Sequence, residues 1–387
     1  MAERSQPGLD SKLPGFGTTI FTVMSKLAAE HDAINLSQGY PDFDGPPALR
    51  ERVRWHMEHG HNQYAPLAGV PELRQQIALK VASLYGAQVD PERQVVITPG
   101  ATEAIACAIT ALVRPGDEVV IMDPAYDTYE PCVLLNGGVP RRVPMSGPDF
   151  RIDWQGVRDT LTARSRLVMV NGPHNPTGSV WTTDDLDALE ELATAHGLYV
   201  LSDEVYEHIC FDGREHQGVL RRPGLAARSF VVSSFGKTYH ATGWRIGYCI
   251  APPELSSEFL RIHQFINFST NTPMQYAIAD FLRDCPQHHL ELGAFYQRKR
   301  DLFNSLLDGS GFRIRPSGGT YFQLADYSDI SDMEDTEFAR WLTTEHRVGA
   351  IPVSVFYREA PRQQLVRFCF AKEDATLEEA AARLRAI

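Results

Sequence analysis

The sequence lacks long apolar runs, paired cysteine motifs and an excess of basic residues. No stretch approaches about 18 consecutive apolar residues, so no transmembrane helix is predicted. The opening residues, MAERSQPGLDSKLPGFG, contain no apolar segment of a secretory signal, and we expect none. The chain has 37 Lys and Arg against 49 Asp and Glu, a formal net charge of −12. This acidic balance argues against partners such as nucleic acid or an anionic membrane.

Cysteine is sparse and scattered: the 387 residues include six, without a CxxC pair. This pattern indicates neither a disulfide framework nor a zinc knuckle, and we predict no metal centre. Unpaired cysteines fit a reducing compartment, so we expect a cytoplasmic location. A GxGxxG motif after a strand is also lacking, which excludes the usual dinucleotide fingerprint.

What the sequence does contain is an alternation of short apolar runs and helical patterns. Six runs are predicted strands: 94–98 (QVVIT), 118–122 (EVVIM), 166–170 (RLVMV), 198–202 (LYVLS), 229–233 (SFVVS) and 247–251 (GYCIA). Their nearly continuous apolar character is typical of strands covered on both faces. An amphipathic helical segment, 101–113, follows the first of them. The alternation predicts an α/β domain with a mostly parallel sheet.

The last hundred residues or so change character. Helical patterns at 290–307, 335–345 and 377–386 flank strand-like pieces at 320–324 and 365–370. We interpret this as a second, smaller α+β domain. The predicted organisation is an N-terminal arm (1–45) that packs with the small domain, a large domain (46–285) and a C-terminal small domain (286–387).

Polar residues follow the predicted strands, where ligands bind in open parallel sheets. After QVVIT, a helix start (PGATE, 99–103) offers free amides and the Thr102 hydroxyl, which suit a phosphate; an ordinary capped turn is the alternative. After RLVMV, two prolines and two glycines build a rigid loop around Asn175. Asp203 follows LYVLS, where a carboxylate is either a helix cap or a ligand contact.

A lysine and an arginine follow the fifth predicted strand. Lys237 lies in a glycine-containing turn, where desolvation and a neighbouring cation would lower its pKa and make the amine nucleophilic. Arg245 could hold an anion at two points. Taken singly, each is more simply read as a solvated surface residue.

Together these residues match the needs of pyridoxal 5′-phosphate. That cofactor requires a Schiff-base lysine and a carboxylate at the pyridinium nitrogen. It also requires a phosphate cradle, partners for the phenolic oxygen and an aromatic side chain over the ring. The candidates are Lys237 for the Schiff base, Asp203 for the ring nitrogen, Thr102 with Ser234 and Arg245 for the phosphate, Asn175 with Tyr206 for the phenolic oxygen, and Tyr126 for the ring face.

Several longer stretches carry a resemblance to a known family. They are INLSQGYPDFDGP (34–46), NQYAPLAGVPELR (62–74), GPHNPTG (172–178), SDEVYEHI (202–209), SSFGKTYHATGWRIGY (233–248), GGTYF (318–322) and IPVSVFY with VRFCFAK between 351 and 372. The sequence resembles the class I/II aminotransferases, the fold-type-I pyridoxal-phosphate enzymes, over essentially its whole length. Within them it is most similar to the bacterial methionine aminotransferase and kynurenine (glutamine) transaminase subgroups. The resemblance implies the fold-type-I architecture, with a mostly parallel seven-stranded sheet and a smaller α+β domain.

The resemblance also implies a role for each matching position. Lys237 would be the catalytic Schiff-base lysine and proton shuttle, and Asp203 would pair with the pyridinium nitrogen. The other implied cofactor contacts are Asn175 and Tyr206 at the phenolic oxygen, Tyr126 on the ring, and Ala101, Thr102, Ser234 and Arg245 at the phosphate, with Tyr64 from a partner subunit. The implied substrate contacts are Arg367, Asn175 and the Gly39 backbone at the carboxylate, with Phe21 and the second subunit's Phe268 at the side chain.

The implied enzyme is a homodimer with shared active sites, which moves an amino group between amino acids and 2-oxo acids. Two positions depart from the kynurenine transaminases, which often have His at the position of Ser269 and Trp at that of Phe21. We therefore expect methionine, aromatic or related neutral donors. The alternatives are a kynurenine transaminase and a cysteine-conjugate β-lyase on the same scaffold. A cofactor-sensing transcription regulator is disfavoured, since only about thirty residues precede INLSQG.

Overall fold

The computed structural model of the chain describes residues 10–387. The elements up to the first helix of the sheet domain are α1 Ile20–Glu30, β1 Ile34–Asn35, α2 Pro47–Glu58, α3 Pro71–Tyr85, β2 Val95–Thr98 and α4 Ala101–Leu112. The sheet domain continues with β3 Glu118–Asp123, α5 Tyr129–Leu135, β4 Val139–Pro144, α6 Trp154–Thr160, β5 Ser165–Asn171, α7 Thr183–His196, β6 Tyr199–Asp203, α8 Pro223–Ala226, β7 Ser229–Ser234, α9 Phe235–Thr238, β8 Gly247–Ile250, α10 Pro253–Ile266 and α11 Thr272–Asp284. The remaining elements are α12 Gln287–Leu290, α13 Leu292–Leu306, β9 Arg313–Ile314, β10 Phe322–Asp326, α14 Asp335–Glu345, β11 Val348–Gly349, β12 Ile351–Pro352, β13 Leu365–Cys369 and α15 Asp374–Leu384.

The large sheet has seven strands in the order β2-β8-β7-β6-β5-β3-β4. Only β8 runs antiparallel to its neighbours, which confirms the predicted mostly parallel seven-stranded sheet. All six predicted runs form strands. The seventh, β4, was not among them: its sequence VPRRVP carries two arginines, and it is one of the two edge strands, paired only with β3.

Apolar side chains cover both faces of this sheet. In β2, Val95 and Ile97 contribute to one buried cluster, whereas Val96 contributes to the cluster on the opposite face. Helix α4 fills the second cluster with small and branched side chains such as Ala104 and Ile105. The strands are therefore apolar at almost every position, as expected for a sheet between two helical layers.

Local signals set the ends of the covering helices. In α7, Thr182 and Asp185 form a capping box, in which each side chain accepts a hydrogen bond from the other residue's backbone N–H. The same helix ends at Gly197, whose φ of 63° lies in the left-handed region that glycine adopts without strain. Among residues 10–387, no helix is both long and apolar enough to cross a membrane.

The C-terminal elements build a second core on a four-stranded antiparallel sheet, β12-β13-β10-β9. Helix α1 packs against α14, and β1 pairs in parallel with β11. The two N-terminal elements, α1 and β1, therefore contact elements of the predicted small domain. The boundaries after residues 45 and 285 stay predictions. The strand predicted at 320–324 begins later, at Phe322, because Thr320 adopts a φ of 65°, which is incompatible with extended backbone.

Candidate active site

The predicted site residues come together at one edge of the large sheet. Strands β5, β6 and β7 are parallel, and the segments with Asn175, Asp203 and Lys237 lie at or just beyond their carboxyl ends. Strand β2 leads at its own carboxyl end into α4, and β8 runs the opposite way, so Arg245 precedes β8 at this same edge. Such an edge is where open α/β sheets bind ligands.

Lys237 lies in the short helix α9 and is held by oxygen atoms. Its Nζ donates hydrogen bonds to the Tyr321 hydroxyl at 2.9 Å and to the Gly39 carbonyl at 3.2 Å. The Tyr321 hydroxyl in turn donates to the Gly39 carbonyl at 2.6 Å. Burial lowers the pKa of Lys237 to about 8, and the nearby cations Arg245 and Arg367 act in the same direction. The amine is therefore partly neutral near physiological pH.

Asp203, the last residue of β6, is a buried carboxylate with 5% of its surface exposed. The Tyr129 hydroxyl donates to its Oδ2 at 2.6 Å, and the Val205 N–H donates to its Oδ1 at 3.3 Å. Burial raises the pKa of Asp203 to about 6, although these hydrogen bonds and the Lys237 charge oppose the shift. A cationic ring nitrogen beside it would favour the ionised form.

The residues that the sequence predicts to hold a phosphate lie close to one another. Gly100 precedes α4 with a φ of 85°, and an added Cβ there would lie 2.5 Å from the Arg245 guanidinium. Arg245 itself has a φ of 55°, and its Nη2 donates to the Thr102 hydroxyl at 3.5 Å. Ala101 and Thr102 form the first turn of α4, where free N–H groups favour an anion. Ser234 is buried at the start of α9.

Asn175 and Arg367 form the second part of the site. Arg367 on β13 donates from Nη1 to the Asn175 Oδ1 at 2.7 Å and from Nη2 to the Ser37 carbonyl at 3.1 Å. The guanidinium lies 3.8 Å from the centre of the Phe322 ring. Burial lowers the pKa of Arg367 to about 10. Its buried Nε lacks a partner among residues 10–387, so this N–H is among the donors left for an anionic ligand.

The loop that carries Asn175 is fixed by a residue that sequence reasoning missed. The Asn171 side chain accepts from the Asn175 N–H and donates to the Asp203 carbonyl, both at 2.8 Å. This one amide therefore ties the loop after β5 to the end of β6. Asn171 is the last residue of β5 and opens the predicted loop, but only Asn175 was given a role there, because a strand-end amide carries no signal of its own.

Aromatic side chains surround these groups. The Phe21 ring lies 5.3 Å from the Arg367 guanidinium. The Tyr206 ring lies 5.6 Å from the Lys237 amine and packs edge-on against Tyr321. Tyr126 packs edge-on against Tyr129, the residue that bonds Asp203. These rings therefore lie around Lys237, Asp203 and Arg367, and the Gly39 carbonyl contacts Lys237 directly.

Tyr64 and Phe268, which the resemblance assigns to the neighbouring subunit's site, lie on the surface. Tyr64 is 81% exposed and Phe268 51% exposed, and their rings meet edge to face with centroids 5.2 Å apart. Phe268 also has a φ of 73°, which a bulky residue adopts only under constraint. The pair forms an exposed aromatic projection beside the end of α10.

Two hydroxyl groups of the site were also missed by sequence reasoning. Tyr129 bonds Asp203, and Tyr321 bonds Lys237. Tyr321 stands in the GGTYF stretch that carried the resemblance, so a signal was present, but it pointed to no role. Tyr129 had no comparable signal, because its contact joins residues 74 positions apart.

One further cluster, Glu103 with Cys107 and His263, lies behind the phosphate cradle. Among residues 10–387, these three side chains bring their potential metal-binding atoms close together. The Glu103 Oε1 accepts from the Cys107 thiol at 2.9 Å and lies 2.7 Å from the His263 Nδ1. These separations are shorter than those between ligand atoms around a zinc ion, so hydrogen bonds account for the cluster.

The residues present fit pyridoxal phosphate. An amine of lowered pKa, a buried carboxylate, and a cation at a helix N-terminus match the aldehyde, ring nitrogen and phosphate of that cofactor. The unpartnered Arg367 Nε matches a substrate carboxylate.

Comparison with known proteins agrees with this geometry. The family described as aminotransferase class I and II matches residues 31–384. The methionine aminotransferase of Escherichia coli (strain K12) is 52% identical over 375 residues, which cover 97% of each chain. The chain belongs to the class I and II aminotransferases. Its sequence is also similar to the kynurenine–oxoglutarate transaminase of Dictyostelium discoideum, with 32% identity over 94% of this chain and 93% of the relative.

Solved structures show the same fold for this aminotransferase. An E. coli protein identified as a methionine aminotransferase superposes with a TM-score of 0.97 at 52% identity, covering 99% of this chain and 100% of that one. The N-succinyldiaminopimelate aminotransferase of Mycobacterium tuberculosis superposes with a TM-score of 0.95 at 38% identity, covering 98% and 100%. The predicted fold-type-I architecture is confirmed.

Proposed function

We propose that this aminotransferase holds pyridoxal phosphate on Lys237 and moves the amino group of methionine, aromatic or related neutral amino acids to a 2-oxo acid. The observation that carries the proposal is the meeting of Lys237, Asp203 and Arg245 at the same edge of the sheet. Each has the charge and surroundings that one part of the cofactor requires. When bound, the cofactor withdraws electrons from the amino acid's α-carbon.

Lys237 acts as nucleophile and proton carrier in this proposal. A pKa of about 8 leaves roughly a tenth of the amine uncharged at pH 7, enough to react with an aldehyde. With a substrate amino acid in place, the Lys237 Nζ would be the base that removes the α-proton and the acid that returns it. The Tyr321 hydroxyl and Gly39 carbonyl provide resting partners for the released amine.

Asp203, Asn175 and Tyr206 orient the ring. The Asp203 carboxylate, which the Tyr129 hydroxyl holds in place, would keep a proton on the ring nitrogen. The Asn175 Oδ1 is already used by Arg367, so its amide N–H groups remain to donate to the phenolic oxygen. Tyr206 would supply the second donor, and Tyr126 would pack against the ring.

Arg367 binds the substrate carboxylate. Its fork is held by Asn175 and Ser37, and Phe322 lies against its plane, so the guanidinium has one orientation. The Gly39 backbone N–H completes this contact. A bidentate pair of this kind fixes the direction of the amino acid as well as its affinity.

The substrate preference follows from what remains around Arg367. Phe21 and Phe356 lie 5.3 and 5.5 Å from its guanidinium, and both are apolar. Asp127, whose pKa is raised by burial, lies near enough for its charge to act on Arg367. An acidic substrate side chain would meet aromatic rings and another carboxylate, whereas a methionine thioether suits such a lining. The similarity to a methionine aminotransferase supports the same choice.

The proposed assembly is a two-fold homodimer with shared sites. Tyr64 and Phe268 are exposed aromatics that project together from each subunit. In the dimer, Tyr64 would reach the neighbour's phosphate and Phe268 the neighbour's substrate pocket. Two-fold symmetry would then bury both pairs at once.

A cytoplasmic location belongs to the same proposal. The six cysteines are free in the structure, as a reducing compartment requires. Cell fractionation with an activity assay tests this, and activity confined to an oxidising compartment would contradict it.

Replacing Lys237 with alanine tests the cofactor assignment. We expect loss of turnover and of the visible absorbance of bound pyridoxal phosphate after dialysis. The control is Lys26→Ala, which removes the amine of a surface lysine whose side chain is 76% exposed. A Lys237→Ala protein that keeps both the absorbance and the activity would overturn the assignment.

A panel of amino donors against several 2-oxo acids tests the substrate. We expect methionine to rank above aspartate in kcat/KM, with phenylalanine, tyrosine, leucine and glutamine between them. Aspartate on top with methionine inactive would overturn the pocket argument and leave the cofactor assignment standing. Kynurenine as the leading donor, or pyruvate and thiol released from cysteine conjugates faster than amino transfer, would identify the alternatives.

A further inference from the structure

A groove of about 830 Å³ lies between the two predicted domains, separate from the site described above. One wall comes from residues 145, 147–151 and 177–180 of the large domain, and the other from residues 313, 315–318 and 362–365 of the small domain. None of Lys237, Asp203, Arg245 and Arg367 lines it. Its size is that of a small-molecule pocket.

The charge of this interdomain groove is opposite to that of the whole protein. The chain carries a net charge of −12, yet the groove is lined by two aspartates, Asp149 and Asp326, and by five arginines. The arginines are Arg151, Arg214, Arg313, Arg315 and Arg362. Such an arrangement concentrates positive potential in one concave place.

Among the described residues, three of these arginines form no ion pair, although the Arg214 charge acts on the nearby Asp212 carboxylate, which is itself paired with Arg300. Arg313 pairs with Asp329, and Arg315 lies 3.7 Å from Asp149. Within residues 10–387, the guanidinium groups of Arg151, Arg214 and Arg362 make neither an ion pair nor a hydrogen bond. These five arginines are exposed, and their like charges in one groove repel each other, so a bound anion would offset that repulsion.

We propose that the interdomain groove is a second ligand site, for a small molecule that carries at least two phosphate or carboxylate groups. The guanidinium fork matches the planar geometry of both groups, and three such forks on opposite walls require a ligand with more than one anionic end. A ligand bound there touches both predicted domains.

The floor of the groove connects it to the active site. The Gly178 carbonyl accepts from the Gly318 and Gly319 N–H groups at 2.9 and 3.0 Å, which joins the loop after β5 to the small domain. Gly178 lies three residues beyond Asn175, whose side chain holds Arg367. A polyanion in the groove therefore stabilises the joined arrangement and lowers KM for the amino donor. This kinetic consequence rests on the proposed function, whereas binding itself does not.

Titration calorimetry on the cofactor-loaded protein tests the site, because loading removes the phosphate cradle as a competing target. The probes are inorganic pyrophosphate and citrate, with sodium chloride at matched ionic strength as the blank. We expect one saturable site per chain for the preferred probe, weakened by added salt. Tighter pyrophosphate binding identifies a phosphorylated ligand, and tighter citrate binding a polycarboxylate.

Single glutamine variants then locate the site. Arg151→Gln, Arg214→Gln and Arg362→Gln should each weaken binding by about tenfold, which corresponds to about 1.4 kcal/mol. The matched control is Arg340→Gln, an exposed arginine on α14 that does not line the groove. No saturable binding of either probe, or binding that all three groove variants leave unchanged, would overturn the proposal. A binding signal without a change in KM would overturn only the link to the active site.

Discussion

Replacing Asp203 with asparagine is expected to stabilise the cofactor-free protein and to slow the loaded enzyme. Burial raises the pKa of Asp203 from 3.8 to about 6. The folded state therefore holds the carboxyl proton more tightly than the unfolded chain does, and stability is lost as pH rises from about 4 to 6. At pH 8 the ionised carboxylate costs the folded protein about 3 kcal/mol, and at pH 5 about half of that.

Asparagine removes this cost but loses one contact. An amide oxygen can still accept from the Tyr129 hydroxyl, whereas its NH₂ group cannot accept from the Val205 N–H, which lies 3.3 Å from Oδ1 in the wild type. That loss costs about 1 kcal/mol. The expected net gain for Asp203→Asn is then about 2 kcal/mol at pH 8 and less than about 1 kcal/mol at pH 5.

Urea unfolding of the cofactor-free proteins at both pH values measures this difference, at one protein concentration since a dimer is proposed. Asp308→Asn is the control, because Asp308 is exposed and should change little. With cofactor bound the order should reverse, since the carboxylate then pairs with the ring nitrogen, and turnover of the variant should fall. A cofactor-free variant no more stable than wild type at pH 8, or an advantage equal at both pH values, would refute the reasoning.

Three further predictions concern the other groups of the site. Arg367→Lys should lower kcat/KM by about tenfold or more for every donor, because an ammonium cannot replace the guanidinium fork; Phe21→Leu should instead reorder the donors, and a loss for one donor class only would contradict the role of Arg367. Tyr321→Phe should lower the pKa of Lys237 below about 8, because it removes an acceptor that stabilises the charged amine. The pH dependence of pyridoxal phosphate binding to the cofactor-free protein measures this pKa, and an unchanged or higher midpoint would contradict the prediction. Mixing Lys237→Ala with Tyr64→Phe subunits should restore one intact site per heterodimer, whereas no recovery would show that Tyr64 serves its own subunit.

The sequence predicted the fold wherever burial was symmetric. Strands covered on both faces are continuously apolar, and all six such runs are strands in the structure. Strand β4 was not predicted because VPRRVP contains two arginines, which are accommodated there by ion pairs of Arg141 with Glu118 and of Arg142 with Asp123. Hydrophobic patterning alone cannot separate such a strand from a loop.

The candidate site was predictable where chemistry follows a strand directly. Asp203 and Lys237 stand within a few residues of strand ends, so topology places them together. Tyr129 and Tyr321 act through contacts between distant segments, which no spacing in the chain announces. The interdomain groove was missed for the same reason, since its five arginines come from four separate parts of the chain.

The complete burial of Arg367 has a kinetic consequence. A residue with 0% exposure cannot take a carboxylate from solution in the arrangement described here. Phe21 on α1 and Phe356 near β13 pack around it, so some of this shell must separate to admit an amino acid. The apparent affinity is then the intrinsic affinity reduced by the population of the open state. Two donors with equal contacts could thus differ in KM because their side chains favour reclosure to different degrees.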